Sequence, residues 1–146
     1  MAGDGIPSSL WGTNDAGFNG VSTPQLLFGG TNTGMTYTSQ YCQYVKRGTL
    51  VTYFVEIILS ASGSSTGNCT IQTNIPWVES SIVTAPSSVM LNLYNTSTVG
   101  DFIAYIIPGT SNVAVQWQGT GALNYLTNTD FLSTTRVRVS GSYFTA

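Results

Sequence analysis

Between Thr49 and Ser60 the chain alternates with a period of two, and both sets of alternate positions are largely apolar. Val51, Tyr53, Val55, Ile57 and Leu59 fall on one face, and Thr52, Phe54, Glu56 and Ile58 on the other. β-branched and aromatic residues dominate, and neither Pro nor Gly interrupts them, so the segment predicts a long strand inside a sheet rather than at its edge. The stretch from Ala61 to Gly67, ASGSSTG, supplies a turn. After it Cys69, Ile71 and Thr73 alternate with Asn68, Thr70 and Gln72, which predicts a hairpin-like pair with the preceding strand. Further strands are expected at Met35–Val45, Val89–Tyr94, Phe102–Ile107, Val113–Gln118 and Thr135–Phe144. Turns are expected at Thr98–Asp101, Pro108–Asn112 and Gly119–Gly121. No window carries a capped helical stripe. About seven or eight strands at this spacing indicate an all-β fold, an antiparallel β-sandwich of the jelly-roll type, over residues 25–146.

Residues 1–24 differ in character. They are rich in Gly, Ser, Asn and Pro, and their isolated apolar residues Leu10, Trp11 and Phe18 follow no period. This predicts an extended N-terminal arm whose apolar side chains need a partner to cover them. Leu10, Trp11 and Phe18 are therefore the candidate residues for docking the arm onto a neighbouring subunit or a larger lattice. The competing arrangement folds the arm back onto its own domain.

Charge sharpens the picture. The 146 residues include four Lys and Arg, six Asp and Glu and no His, so charged residues make up 7% of the chain. A globular domain ordinarily has about a quarter. Charge keeps lone monomers soluble and sheet edges unpaired, so its scarcity points to a surface shared between polar uncharged side chains and partner subunits. Lys46, Arg47, Arg136 and Arg138 are too few to neutralise a phosphate backbone, which argues against nucleic acid. No apolar run has the length of a membrane span, and the first residues lack the basic and apolar regions of a secretory signal. The protein is expected to be made and kept in the cytoplasm unless an assembly or lysis carries it out.

Catalytic chemistry finds little material. Without histidine the common nucleophile–base pairs are absent. Asp101, Asp130, Glu56 and Glu79 are the carboxylates to weigh for a glycosidase-like pair, yet Asp101 and Asp130 sit in turn contexts and Glu56 lies within a strand. GSSTG lacks the Lys of a phosphate loop. Cys42 and Cys69 have no CxxC spacing, so neither a metal site nor any cofactor is expected, and the two read as small buried thiols. Tyr and Trp residues are the better prospects for recognition, because their rings serve where one end is apolar and the other wet.

The segment Gly34–Trp77 resembles a pattern found in bacteriophage fibre and virion-surface proteins. Gly34, Thr36, Tyr37 and Gln40 are followed by Tyr44, Gly48 and a long apolar strand from Val51. Gly63, Ser65, Thr66 and Gly67 then precede Ile71 and Pro76. The closing Ser140–Ala146 is similar to the end of such domains. Cys42 and Thr49 depart from the pattern, where Gly and Asn are usual. The resemblance implies a small β-sandwich, a homotrimer on a phage particle, and no enzymatic activity. On this reading Tyr37, Gln40, Tyr41 and Tyr44 are candidates for the contact between subunits, and the protein is exposed on the exterior of the virion.

Two structural roles fit. A capsid decoration, or cement, protein is a short chain with an arm that reaches across the lattice and binds the major capsid protein. A tail-fibre or spike tip binds a host receptor or glycan, ordinarily at the end of a long shaft. The chain starts at Met1 and has no shaft but an apolar arm, so the expectation is a homotrimeric capsid decoration protein, with the tail-fibre tip as the alternative and a glycan-degrading enzyme the least favoured.

Overall fold

The computed structural model of the chain describes residues 17–81, 87–119 and 121–145. Among these the regular structure is almost wholly β. The strands are β1 (Phe18–Ser22), β2 (Gln25–Phe28), β3 (Met35–Arg47), β4 (Leu50–Ser62), β5 (Cys69–Gln72), β6 (Ser88–Thr96), β7 (Asp101–Ile106), β8 (Val113–Gln118), β9 (Leu123–Tyr125) and β10 (Phe131–Phe144). A 3-10 turn at Asn128–Asp130 precedes β10.

All pairings are antiparallel, and the hydrogen-bonded order is β1-β3-β4-β10-β6-β7-β8-β5-β2, with β9 added to β8. β6 joins the two halves of the sheet: Met90–Tyr94 pair with β10, while Ser88 and Val89 pair with β7. The sheet curls about this shared strand until its ends approach each other. Gln40 Nε2 donates to the Pro24 carbonyl at 2.8 Å and Ser22 Oγ to the Thr73 carbonyl at 2.6 Å, tying the β1–β3 end to β2 and the segment after β5.

The curl encloses one core. Val51, Val55, Ile57, Leu59, Val137 and Val139 from one half meet Leu26, Phe28, Ile71, Ile106, Val113 and Val115 from the other. Phe28 meets Phe131 edge to face, with ring centroids 5.1 Å apart. This burial is the main source of stability, at roughly 25 cal/mol for each Å² of apolar surface removed from water. The core positions of β4 and β10 are the ones selected by strict alternation, and the register pairs Val139 with Val55 and Val137 with Ile57.

The all-β antiparallel class matches the periodicity, and β3, β4, β6, β7, β8 and β10 lie close to the expected segments. Three features differ. The ladder is continuous through β6 rather than divided between two independently bonded sheets. β5 does not pair with β4; it lies between β2 and β8. The intervening turn carries the chain across the core, with Gly63 and Gly67 both at positive φ and Ser65 Oγ buried, accepting from the Thr33 amide at 2.7 Å. The tight hairpin is instead β3–β4, where Arg47 faces Leu50 across Gly48 and Thr49, and Gly48 takes the left-handed conformation that such a turn requires.

The third difference concerns the arm expected over residues 1–24. Phe18–Ser22 form β1, hydrogen-bonded along β3 from Phe18↔Lys46 to Ser22↔Cys42. Backbone pairing needs no apolar periodicity, which is why this polar, Gly-containing strand was unreadable as one. Leu10 and Trp11 lie outside the described residues.

Candidate functional site

The outward positions of β3, β4, β10 and β6 form a broad face that no element of the described chain covers. Tyr41, Phe54, Met90 and Tyr94 are exposed on it, with Ile58 half-buried among them. Register places them in rows: Gln43, Phe54, Ser140 and Met90 lie side by side, as do Tyr41, Glu56, Arg138 and Asn92. Between β3 and β4 a shallow groove of about 310 Å³ is lined by Gln43, Val45, Thr52, Tyr53 and Phe54.

A charge cluster occupies the middle of this face. Arg138 is directly opposite Glu56, and Arg136 is opposite Ile58, one pleat along. Both guanidiniums converge on one oxygen: Glu56 Oε2 accepts from Arg136 Nη2 at 2.6 Å, Arg136 Nε at 3.2 Å and Arg138 Nε at 2.7 Å. The hydrogen bonds from Arg136 and then Arg138 hold the Glu56 carboxyl below its ordinary range. Arg47 lies at the end of the same face, so three guanidiniums stand against one carboxylate. Exposed aromatic and aliphatic side chains set around arginines are the composition of protein interfaces.

The other half of the sheet also has an outward face. Ile103, Tyr105, Leu123 and Tyr125 lie on it, with Asp101 at its margin opposite Gln118. The Tyr105 and Tyr125 hydroxyls are 3.0 Å apart, and this contact, with partial burial, pushes the Tyr105 pKa up to about 12.

The residues singled out from sequence occupy different environments. Tyr41 is on the outer face, its hydroxyl donating to Gln43 Oε1 at 3.2 Å. Tyr37, Gln40 and Tyr44 serve contacts within the chain. The Tyr37 hydroxyl contacts Met35 sulfur at 3.0 Å and the Leu26 carbonyl at 3.5 Å, and burial pushes its pKa up. Tyr44 is 6% exposed. Phe18 stands over it and over Trp77, at centroid distances of 6.3 and 5.0 Å, and Lys46 Nζ lies 5.7 Å from the Trp77 ring. Phe18 remains half-exposed while closing this cluster. Tyr94 belongs to the tyrosines that sequence reasoning marked as prospects for recognition, whereas it missed Met90 and the arginine pair as site residues. The period-two spacing of Arg136 and Arg138 in a strand segment was the available signal.

The carboxylates weighed for catalysis are distributed over separate elements. Glu56 is engaged by the arginines. Asp130 caps the 3-10 turn, accepting from the Thr127 amide at 2.7 Å and from Thr98 Oγ1. Glu79 is buried and accepts from Ser87 Oγ, and Asp101 is exposed at the start of β7. Cys42 and Cys69 are both buried free thiols, and burial raises both pKa values.

No family model matches the chain, and no curated protein matches it in sequence. Among solved structures it is similar to the Dettilon tailspike protein, with a TM-score of 0.69 at 17% identity over 86% of this chain. The chain spans 23% of the length of that protein. At this identity the likeness shows a shared fold.

Proposed function

We propose that this chain is a non-enzymatic structural module of a phage virion, assembled as a homotrimer and carried on the tail as part of a fibre or spike. The observation that carries the reading is the fold likeness to a tailspike protein, which extends over nearly the whole chain. The outer face of β3, β4, β10 and β6 supports it: a sheet surface that mixes aromatics with arginines suits contact with protein rather than solvent. The absence of histidine supports a role without catalysis, as does the engagement of Glu56 and Asp130 in local bonds. Host-receptor or glycan binding belongs to the same tail reading, through the exposed rings of Tyr41 and Tyr94.

Counting copies in purified particles tests the location. A few copies per particle, with gold-labelled antibody at the tail, is the expected result. A copy number that scales with the capsid lattice, with label over the head, would replace the tail assignment with the capsid decoration role.

A further inference from the structure

The two outward faces of the curled sheet carry opposite charge and similar apolar content. On the first, Arg47, Arg136 and Arg138 outnumber Glu56. All three N–H groups that bond within the cluster are spent on one oxygen, Glu56 Oε2, so the remaining guanidinium donors of Arg136 and Arg138 face outward; their side chains are 36% and 38% exposed. On the second face the charge is Asp101. Among the described residues it is the carboxylate that is exposed and bonded to nothing: Glu56 and Asp130 are engaged, and Glu79 is buried. Each charge is set beside exposed apolar groups, Tyr41, Phe54 and Tyr94 on one face and Ile103, Leu123 and Tyr125 on the other.

We infer that the occupant of the basic face is the acidic face of a second copy of this chain. The contact is heterologous, with Asp101 of one copy set against the guanidinium cluster of the next. Opposite signs on two faces of one chain favour this arrangement over a self-complementary contact, in which the basic face would meet another basic face and like charges would repel. One copy thereby covers both faces in its neighbours. The inference rests on the homo-oligomeric part of the proposed function and assigns that oligomer its faces.

Charge exchange in the full chain tests it, with association measured by sedimentation velocity across a concentration series. Asp101→Arg alone and Arg138→Glu alone are each expected to weaken self-association by at least about tenfold, because either places like charges together. The double variant is expected to regain association to within about threefold of the original, because the signs are again opposite. Circular dichroism confirms folding of each variant, and Arg138→Gln serves where Arg138→Glu unfolds. An oligomer unaffected by either single change would overturn the inference while leaving the homo-oligomer in place. Single losses without recovery in the double variant would also overturn it. A wild-type chain that stays monomeric at concentrations of tens of micromolar would remove both the inference and the oligomer on which it rests.

Discussion

Arg138 stands directly across the β4–β10 ladder from Glu56, and its Nε donates to Glu56 Oε2 at 2.7 Å. The pair joins strands that lie far apart in sequence, and Arg136 converges on the same oxygen from the next outward position. One carboxylate therefore holds two like charges side by side on the outer face. Its removal leaves the guanidiniums facing each other without compensation.

Glu56→Gln should lower stability at pH 7 by about 0.2–1 kcal/mol, the range of solvent-exposed ion pairs. The folded carboxyl titrates below the ordinary value of 4.5. Its contribution is thus fully present above that value and is lost as pH falls through the lower, folded one. Urea denaturation of both proteins should show a gap at pH 7 that narrows at pH 3. A gap of equal size at both pH values would mean that the carboxylate charge is not its source.

Ile57 and Ile58 are neighbours in β4 with opposite fates, one fully buried and the other half-buried on the outer face. Ile57→Ala should cost about 2–5 kcal/mol through lost burial and the cavity left behind. Ile58→Ala should cost the isolated domain under about 1 kcal/mol, since the side chain gives up less burial. Denaturant midpoints with unchanged slopes check the pair, and equal losses would contradict the facing assigned to β4.

Gly20 faces Tyr44 across the β1–β3 ladder, and a Cβ there would lie 2.4 Å from the tyrosine hydroxyl. The Tyr44 ring has little room to retreat, being packed against Phe18 and Trp77. Gly20→Ala should therefore separate β1 from β3 while leaving the core intact, at a cost of about 1–3 kcal/mol. Hydrogen exchange should show faster exchange confined to β1 and its partners in β3. Uniform acceleration across β4 and β10 would instead mark β1 as part of the cooperative core.

The sequence carried the strands that alternate and missed those that do not. β4 and β10 were readable because Val55, Ile57, Val137 and Val139 obey a period of two. β1 has no apolar face of its own, and β2 and β9 are too short to show a period. Pairing was the less legible layer: an apolar strand after a Gly/Ser turn reads as a hairpin, yet β5 crosses to β2 and β8 because its buried face completes the opposite half of the core. The candidate site was hidden for the same reason. Glu56 and Arg138 become neighbours only through register, and no local pattern couples them. The second apolar set of β4, Phe54 and Ile58, was visible, but it reads equally as a strand covered on both sides and as an open contact surface.

At alkaline pH the tyrosines should govern stability. Tyr105 titrates at about 12 in the folded chain against a reference of 10.0, and burial also raises Tyr53 and Tyr143. The unfolded chain then loses protons near pH 10 while the folded chain retains them, so stability falls as pH rises above 10. Absorbance at the phenolate band should show a tyrosine class that ionises only with unfolding, and the urea midpoint should be lower at pH 11 than at pH 9. Tyr105→Phe should reduce that difference; an unchanged difference would assign it to the buried tyrosines alone.

Tyr53 and Tyr143 offer a final contrast, because they are packed together with ring centroids 5.9 Å apart and differ in what their hydroxyls meet. Tyr143 donates to the Trp77 carbonyl at 2.6 Å, whereas the buried Tyr53 hydroxyl has no hydrogen-bond partner among the described residues. A buried polar group without a partner costs about 1–3 kcal/mol, and a typical satisfied bond contributes about 0.5–1.5 kcal/mol. Tyr53→Phe should therefore leave stability unchanged or raise it, and Tyr143→Phe should lower it by about 1 kcal/mol and free the Trp77 carbonyl. Both substitutions keep the ring, so the Tyr53–Tyr143 ring contact is preserved and only the hydroxyl is tested. Thermal and urea unfolding of the two variants decide the matter. A clear loss in Tyr53→Phe would mean that its hydroxyl is bonded in solution.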